Sequence, residues 1–307
     1  MFKILLAATL IFYSMIAQAQ TIRLVVPYSA GGFNDGLARM LQQTLATELR
    51  RQVLVEYKPG AGGDVGTAYV GNAPAGETYL LLHGIGLSVS QNLRRPLYNE
   101  NNLTPLVILG TTPLVLVVPG NSKLNTLKAW AQADDTKGIT YGTSGIASTS
   151  HVISCMFQTA VKKNMIHVPY KGQSQVLPDL LSGTIDSAIM YPSVALPHVD
   201  SQTLQAVAVI NHQRIPMLPK TPTLRELGMK NMDLDNWYAV IANANAAPEE
   251  LAVIQNILVK ALNNTGAIKE LSDLGVDASA KIAPKDFLRT EKQLWGNLLI
   301  KYNIKLD

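Results

Sequence analysis

The sequence predicts an α/β fold with two lobes, each built on a largely parallel sheet flanked by helices. The chain has 307 residues, and domains of about 100–200 residues are usual, so the length suggests two domains. Short runs rich in Val, Ile and Leu alternate with segments long enough for helices, which implies crossover connections and parallel strands. Hydrophobic residues make up 47% of the chain and charged residues only 16%, so it can bury enough apolar surface to fold.

The predicted strands are short apolar runs bounded by proline, glycine or polar turns. They occupy residues 22–26, 53–57, 79–83, 139–141, 166–168, 185–189 and 204–210. A helix follows the first strand, because Leu37, Leu41 and Leu45 recur at helical spacing. Either Asn34 or Asp35 can cap this helix. Further helical patterns near the end of the chain occupy residues 251–262, 268–274 and 287–302.

The chain is predicted to cross between the lobes twice. The first crossing is expected at residues 117–122, where a strand ends in Pro-Gly before a new helix begins. The second follows the turn-rich stretch 216–236. The first lobe would then consist of residues 20–120 and 237–307, and the second lobe of residues 121–236. Clefts between domains are preferred sites for small ligands, so we expect the binding site between the lobes.

The first nineteen residues have the pattern of a secretory signal peptide. Lys3 precedes an apolar run at residues 4–16, and Ala17-Gln18-Ala19 supplies small residues for cleavage. The run is shorter than the roughly 20 residues that a membrane-spanning helix needs. We expect cleavage after Ala19, which removes Lys3 and lowers the net charge from +4 to +3.

Composition and spacing argue against several classes of function. The 26 basic residues form no run longer than two, so nucleic-acid binding is not expected. A single cysteine, Cys155, rules out an internal disulfide and a thiolate zinc site. The five histidines show no metal-ligand spacing, so we expect neither a metal nor a cofactor. The glycines of residues 60–66 resemble a dinucleotide fingerprint, but the last is one residue late, which favours a tight turn.

A secreted serine hydrolase is the alternative from another class. Residues 172–176 begin like a nucleophile elbow around Ser174, but Val176 replaces the final glycine. Ser144 and His151 are seven residues apart, too far for one helical face, and no carboxylate is placed to orient the imidazole. Turnover of ester substrates would separate this alternative from a binding protein.

Two loops, one in each lobe, are suited to holding an anion. Residues 27–35 and 141–151 each lead from a strand into the start of a helix. Their glycines let backbone N–H groups converge, and the helix dipole favours a negative charge there. The second loop adds the hydroxyls of Ser144, Ser148, Thr149 and Ser150. Spacing alone leaves two interpretations open, because Ser, Thr, Asn and Asp also cap ordinary turns.

The same residues carry a family resemblance over essentially all of the chain after residue 19. The matching motifs are V-P-Y at 26–28, G-G at 31–32, E-Y-K-P-G-A-G-G at 56–63, the loop 141–151, H-V-P-Y-K-G at 167–172, D-L-L-S-G at 179–183, A-L-P-H at 195–198 and W-Y at 237–238. In this order they resemble the Bug-type extracytoplasmic solute receptors of tripartite tricarboxylate transporters.

The resemblance implies a two-lobed periplasmic binding protein of type II-like architecture, a monomer located in the periplasm. Such receptors hold a small carboxylate between two loops and deliver it to membrane permease subunits. A ligand-sensing receptor for a signalling partner would share these residues and stays an alternative. The expected ligand-binding residues are Tyr28, Ser29, Phe33, Asn34, Asp35, Gly84, Ser144, Ser148, Thr149, Ser150, His151, Met190 and Tyr191.

Departures from the family pattern bear on the ligand. Many relatives carry Asp-Asn where this chain aligns Met190 and Tyr191. Loss of the acidic side chain removes a partner for a ligand ammonium group. Our hypothesis is that the protein does not prefer an α-amino acid, and that an aromatic or aliphatic carboxylate suits Phe33, Met190 and Tyr191 better. The alternative is that Met190 is a core residue.

Overall fold

A computed structural model of the protein describes residues 21–229, 232, 234 and 236–305. The expected signal peptide, residues 1–19, and its cleavage after Ala19 lie outside the described residues. In the part of the chain that is described, no helix is both long enough and apolar enough to cross a membrane.

The described residues form eleven strands and ten α-helices that alternate along most of the chain. The strands are β1 (Ile22–Val26), β2 (Val53–Tyr57), β3 (Tyr79–Gly84), β4 (Leu103–Thr111), β5 (Leu114–Pro119), β6 (Ile139–Thr143), β7 (Met165–Pro169), β8 (Ser187–Met190), β9 (Leu204–Ile210), β10 (Trp237–Asn243) and β11 (Asp277–Ile282). The helices are α1 (Phe33–Leu49), α2 (Asp64–Gly71), α3 (Gly86–Leu93), α4 (Leu127–Gln132), α5 (Thr149–Val161), α6 (Gln173–Leu181), α7 (Pro192–Asp200), α8 (Pro248–Leu262), α9 (Thr265–Asp273) and α10 (Phe287–Lys301).

The strands form two sheets, which confirms the predicted two-lobed α/β architecture. The first sheet has the order β11-β4-β10-β3-β1-β2, and the second has the order β7-β6-β8-β5-β9. Both sheets are mixed rather than largely parallel. In the first, β1 is parallel to β2 and β3, whereas β10 is antiparallel to β3 and β4. In the second, β6 is parallel to β7 and β8, whereas β5 is antiparallel to β8 and β9.

The first change of sheet comes earlier in the chain than expected. We expected the first lobe to continue to Gly120, but β5 pairs with β8 and β9 of the second sheet. The chain therefore leaves the first sheet between Thr111 and Leu114. The strand is buried and apolar throughout, so its sequence pattern fits either sheet, and its pairing with β8 and β9 assigns it to the second. The chain returns to the first sheet between Ile210 and Trp237.

The glycine-rich segment after β2 is a tight turn, as predicted. Gly60, Gly62 and Gly63 have positive φ angles of 139°, 67° and 113°, respectively. Residues other than glycine rarely adopt such angles. A Cβ atom on Gly62 would lie 2.1 Å from the carbonyl oxygen of Ile146 in the second lobe. The glycine therefore lets the two lobes approach each other beside the loop that leads into α5.

Candidate functional site

The first-lobe loop, residues 27–32, joins β1 to α1 and is anchored by Asp35. The carboxylate of Asp35 accepts hydrogen bonds from Gly31 N (2.8 Å), Arg39 Nε (2.7 Å) and Tyr57 Oη (2.7 Å). Burial alone would raise the pKa of Asp35, but the hydrogen bonds from Tyr57, Gly31 and Arg39 hold it below its ordinary value. Asp35 therefore fixes the loop in place while remaining ionised.

The second-lobe loop, residues 144–148, joins β6 to α5 and is held by its own hydroxyl groups. Ser148 caps α5, because its Oγ accepts a hydrogen bond from His151 N at 3.3 Å. Ser150 Oγ accepts one from Ser144 N at 3.0 Å and lies 3.2 Å from Ser148 Oγ. These bonds close within the loop and the first turn of its helix, and they involve no residue of the first lobe.

A small cavity lies between the two loops. Its volume is about 10 Å³, which is about the room that one water molecule needs. The residues that line it are polar or aromatic, are all buried and include no charged side chain: Tyr28, Asn34, Ser144, Ser148, Thr149, Ser150, Gln173 and Tyr191. Two come from the first lobe and six from the second, so the cavity lies in the cleft between the lobes.

Four helices begin at this cavity. Asn34 lies in the first turn of α1, Thr149 in the first turn of α5, Gln173 is the first residue of α6, and Tyr191 is the N-cap of α7. Backbone N–H groups in a first helical turn have no acceptor within the helix. The positive ends of the helix dipoles meet here, which favours an anion even though no basic side chain lines the cavity.

Aromatic side chains close the cavity from both lobes. Phe33 of the first lobe stacks on Tyr191 of the second with ring centroids 4.2 Å apart. The hydroxyl groups of Tyr191 and Tyr238 are 2.7 Å apart, and Tyr28 Oη donates to Gly62 O at 3.1 Å. Burial raises the pKa of Tyr28 and Tyr238 well above the ordinary value, so both remain neutral and can donate hydrogen bonds.

A pair of stacked histidines supports the second-lobe loop from behind. His151 and His167 have ring centroids 4.1 Å apart, and His151 Nδ1 accepts a hydrogen bond from Ala147 N at 3.2 Å. Burial lowers the pKa of His151 to about 3, with a smaller contribution from His167. Burial also lowers the pKa of His167 to about 4. Both rings are therefore neutral near pH 7 and brace the loop without adding charge.

Hydrogen bonds also join the lobes beside the cavity. Ser29 N donates to Lys171 O at 3.0 Å, and Ser174 Oγ donates to Ala30 O at 2.8 Å. Arg94 donates to Ala61 O of the first lobe at 2.8 Å. The same guanidinium group donates to Ile146 O of the second lobe at 3.4 Å, so the lobes are joined by hydrogen bonds at more than one point.

Seven of the predicted ligand-binding residues line the cavity. They are Tyr28, Asn34, Ser144, Ser148, Thr149, Ser150 and Tyr191. Contact of these residues with a ligand stays a prediction, but the cavity brings together residues from two loops that lie more than a hundred positions apart.

Six predicted ligand-binding residues lie outside the lining, and each has a structural explanation. Ser29, Phe33 and Asp35 hold the loop or the lobe contact, as described above, and His151 braces the second-lobe loop. Gly84 allows β10 to approach β3, because a Cβ there would lie 2.8 Å from Trp237 O. Met190 has no exposed surface and packs in the apolar core of the second lobe, which is the alternative that the sequence left open.

Gln173 lines the cavity but was not among the predicted residues. The sequence pattern around it was compared only with the nucleophile elbow, because Ser174 follows it directly. Its position at the start of a helix, immediately after Gly172 and the V-P-Y-K motif, is the signal that could have identified it. Ser174 itself bonds to Ala30 and Ser29 across the lobes.

Comparison with known proteins agrees with this architecture. Residues 37–303 match the model of the tripartite tricarboxylate transporter family receptor. BugT of Bordetella pertussis is 30% identical over 300 residues, covering 94% of this chain and 91% of BugT. The solved structure of the periplasmic binding protein BugD superposes with a TM-score of 0.85 at 25% identity, covering 93% of this chain and 98% of that one.

A further solved structure, R. palustris Rpa4515 with adipate, has the same fold. It superposes with a TM-score of 0.86 at 21% identity and covers 94% of this chain and 99% of its own. The family match spans most of the chain, and BugT is similar over nearly all of it. The resemblance inferred from the motifs is confirmed: the chain belongs to the receptor family of the tripartite tricarboxylate transporters and is a periplasmic solute-binding protein.

Proposed function

We propose that this receptor captures a small carboxylate in the cleft between its lobes and delivers it to a membrane permease. The observation that carries the proposal is the meeting of four helix N-termini at one buried cavity that no charged side chain lines. Backbone N–H groups and neutral hydroxyls can together hold a carboxylate in such a place. The adipate in Rpa4515 and the transporter named by the family support the ligand class and the permease.

The lining also supports the hypothesis that an α-amino acid is not the preferred ligand. An ammonium group in a buried site needs an anionic partner or several hydrogen-bond acceptors. Among the residues that line the cavity there is no Asp or Glu. Asp35 is nearby, but Gly31, Arg39 and Tyr57 already occupy its carboxylate oxygens.

Ligand binding requires the lobes to move apart and close again. A cavity of about 10 Å³ has room for about one water molecule and is too small for a carboxylic acid. Closure over the ligand is the expected mechanism of capture, because contacts made only in the closed form shift the equilibrium between open and closed forms.

A thermal unfolding screen of the purified protein tests the proposal. Propionate, succinate and benzoate are compared with the corresponding neutral amides. A ligand bound only by the folded protein stabilises it by about 2.7 kcal/mol at 100 times its Kd. We expect at least one acid to raise the Tm saturably, while its amide does not.

A pair of matched variants locates the effect at the cavity. Thr149→Val removes a lining hydroxyl with little change of shape, and we expect it to weaken binding about tenfold. Thr159→Val makes the same change at an exposed position of the same helix and should leave the affinity unaltered. Equal shifts with acids and amides, or equal affinities in both variants, would contradict the proposal.

Several finer features belong to the same proposal. We expect residues 1–19 to be removed after Ala19 during export to the periplasm, and we expect the receptor to act as a monomer. We also expect no turnover of ester substrates. Delivery to a permease and signalling to a sensor partner share the binding step, and dependence of solute uptake on this receptor in cells would separate them.

A further inference from the structure

One buried donor at the cavity has no partner. Gln173 is 7% exposed, and its Oε1 accepts a hydrogen bond from Tyr191 N at 3.0 Å. This bond fixes the orientation of the amide, so the Nε2 group is on the opposite side. Among residues 21–229, 232, 234 and 236–305, Nε2 has no hydrogen-bond partner. Leaving a buried donor unsatisfied is unfavourable, so a ligand atom that accepts a hydrogen bond from Nε2 is favoured at this position.

A buried acceptor from the opposite lobe faces the same cavity. Asn34 is 8% exposed and lines the cavity from the first turn of α1. Its Oδ1 has no partner within the described part of the chain. Each lobe therefore contributes one unsatisfied polar atom, a donor from one and an acceptor from the other.

A hydroxyl group is the simplest ligand group that satisfies both atoms. It can accept from Gln173 Nε2 with a lone pair and donate its proton to Asn34 Oδ1. An ammonium group could donate to Asn34 but cannot accept from Gln173, since it has no lone pair. An unsubstituted carbon chain would leave both polar atoms unpaired, which a site built to bind a hydroxyl disfavours strongly.

We propose that Gln173 and Asn34 act together as specificity-determining residues that recognise a hydroxyl group next to the carboxylate of the ligand. The two residues and the carboxylate-binding loops line one small cavity, which puts the hydroxyl close to the carboxylate in the closed form. Recognition is complete only when the lobes close, because the donor and the acceptor belong to different lobes. This inference rests on the proposed function, since it specifies the class of carboxylate that the same site selects.

The test uses acids that differ only at the carbon next to the carboxylate. One series is succinate, malate and aspartate, and the other is 3-phenylpropionate, phenyllactate and phenylalanine. In each series the substituent is hydrogen, hydroxyl or ammonium. Isothermal titration calorimetry of the wild-type protein should show the hydroxy acid of at least one series binding about tenfold or more tightly than both other members.

Two variants connect this preference to the named residues. Gln173→Met and Asn34→Leu keep the side-chain size but remove the polar atoms. Each should reduce the preference for the hydroxy acid to about threefold or less, while binding of the unsubstituted acid is retained. Gln175→Met is the matched control, because Gln175 is an exposed residue of the same helix outside the cavity and the preference should be kept.

The outcomes separate the two proposals. Binding of acids without a preference for the hydroxy member, or tighter binding of the amino acid, overturns the role of Gln173 and Asn34 and leaves carboxylate capture standing. A preference that persists in both variants also overturns it. Failure of every carboxylate to bind overturns the proposed function and this inference with it. If one variant does not fold, the wild-type titrations can still overturn the inference and the other variant still tests its residue.

Discussion

The two loops that meet at the cavity are stabilised in different ways. The first-lobe loop, residues 27–32, depends on a charge, because Asp35 accepts hydrogen bonds from Gly31, Arg39 and Tyr57. It also depends on the other lobe, since Ser29 N donates to Lys171 O. The second-lobe loop, residues 144–148, is held by neutral hydroxyls and by the stacked rings of His151 and His167.

The difference shows that two loops that line the same cavity can be stabilised by different interactions. The hydroxyl bonds of the second-lobe loop involve no residue of the first lobe, so we expect them to persist when the lobes are open. The first-lobe loop gains the bond to Lys171 only when the lobes meet. Acidic pH, loss of a carboxylate and loss of a hydroxyl should therefore change the stability of the two loops to different extents. Three predictions test this.

The largest expected effect is a loss of stability at acidic pH, and it arises in the second lobe. Burial lowers the pKa of His151 to about 3, against about 6.5 in an unfolded chain. The unfolded chain therefore binds a proton at higher pH than the folded chain. The stability that the neutral histidine contributes is fully present above about pH 6.5 and is lost as the pH falls towards 3. By pH 4 the loss in the free energy of unfolding is on the order of 3 kcal/mol.

Urea unfolding at pH 7 and pH 4.5 measures this loss. His151→Gln should lose less stability than the wild type between the two pH values, because it removes the group that takes up the proton. His212→Gln, at an exposed position, serves as the control and should behave like the wild type. Identical losses in all three proteins would show that His151 does not set the acid sensitivity.

The second prediction concerns the charged anchor of the first-lobe loop. Asp35→Ala leaves Gly31 N and Tyr57 Oη without their acceptor, which should lower the free energy of unfolding by about 2 kcal/mol. Ligand affinity should also fall, since the loop is no longer held in place. Urea unfolding and calorimetric titration measure the two effects.

Asp186→Ala is the control for this variant. Asp186 accepts two hydrogen bonds from Thr140, from its N at 2.8 Å and its Oγ1 at 2.7 Å, away from the cavity. Its loss should reduce stability but leave the affinity unaltered. If both variants weaken the ligand equally, the anchor acts through general stability alone.

The smallest expected effect is the loss of one hydroxyl from the second-lobe loop. Ser150→Ala removes the acceptor of Ser144 N, at a cost of about 1 kcal/mol in stability and a roughly fivefold to tenfold loss of affinity. Ser154→Ala, a buried position of the same helix outside the cavity, should leave the affinity unchanged. An unchanged affinity in Ser150→Ala would mean that the loop does not need this bond.

Much of the site could be predicted from local sequence. Glycines and hydroxyl side chains between a strand and a helix indicate an anion-binding loop, and such patterns led to Tyr28, Asn34 and the serines of the second-lobe loop. Gln173 was missed because its role depends on the orientation imposed by Tyr191 N, a residue eighteen positions away. The side of the strand on which Met190 lies could not be decided, since both faces of β8 are buried and apolar patterning is then uninformative.

The fold was predictable for the same local reasons, and it differs from expectation where pairing is non-local. Alternating strand and helix patterns indicate the α/β class, but they do not say which strands become neighbours. The strand Leu114–Pro119 is apolar throughout, and only its pairing with β8 and β9 assigns it to the second sheet. That information lies in contacts between segments more than seventy residues apart.

The small volume of the cavity affects the ligand concentration at which the receptor responds. With about 10 Å³ between the loops, the closed form has no room for an incoming ligand, so the ligand enters the open form and the lobes close over it afterwards. The apparent dissociation constant is the intrinsic one divided by the open fraction. Every bond that joins the lobes, such as the one between Ser174 and Ala30, reduces that fraction. The concentration at which the receptor responds is therefore tuned at the lobe contact as well as in the site.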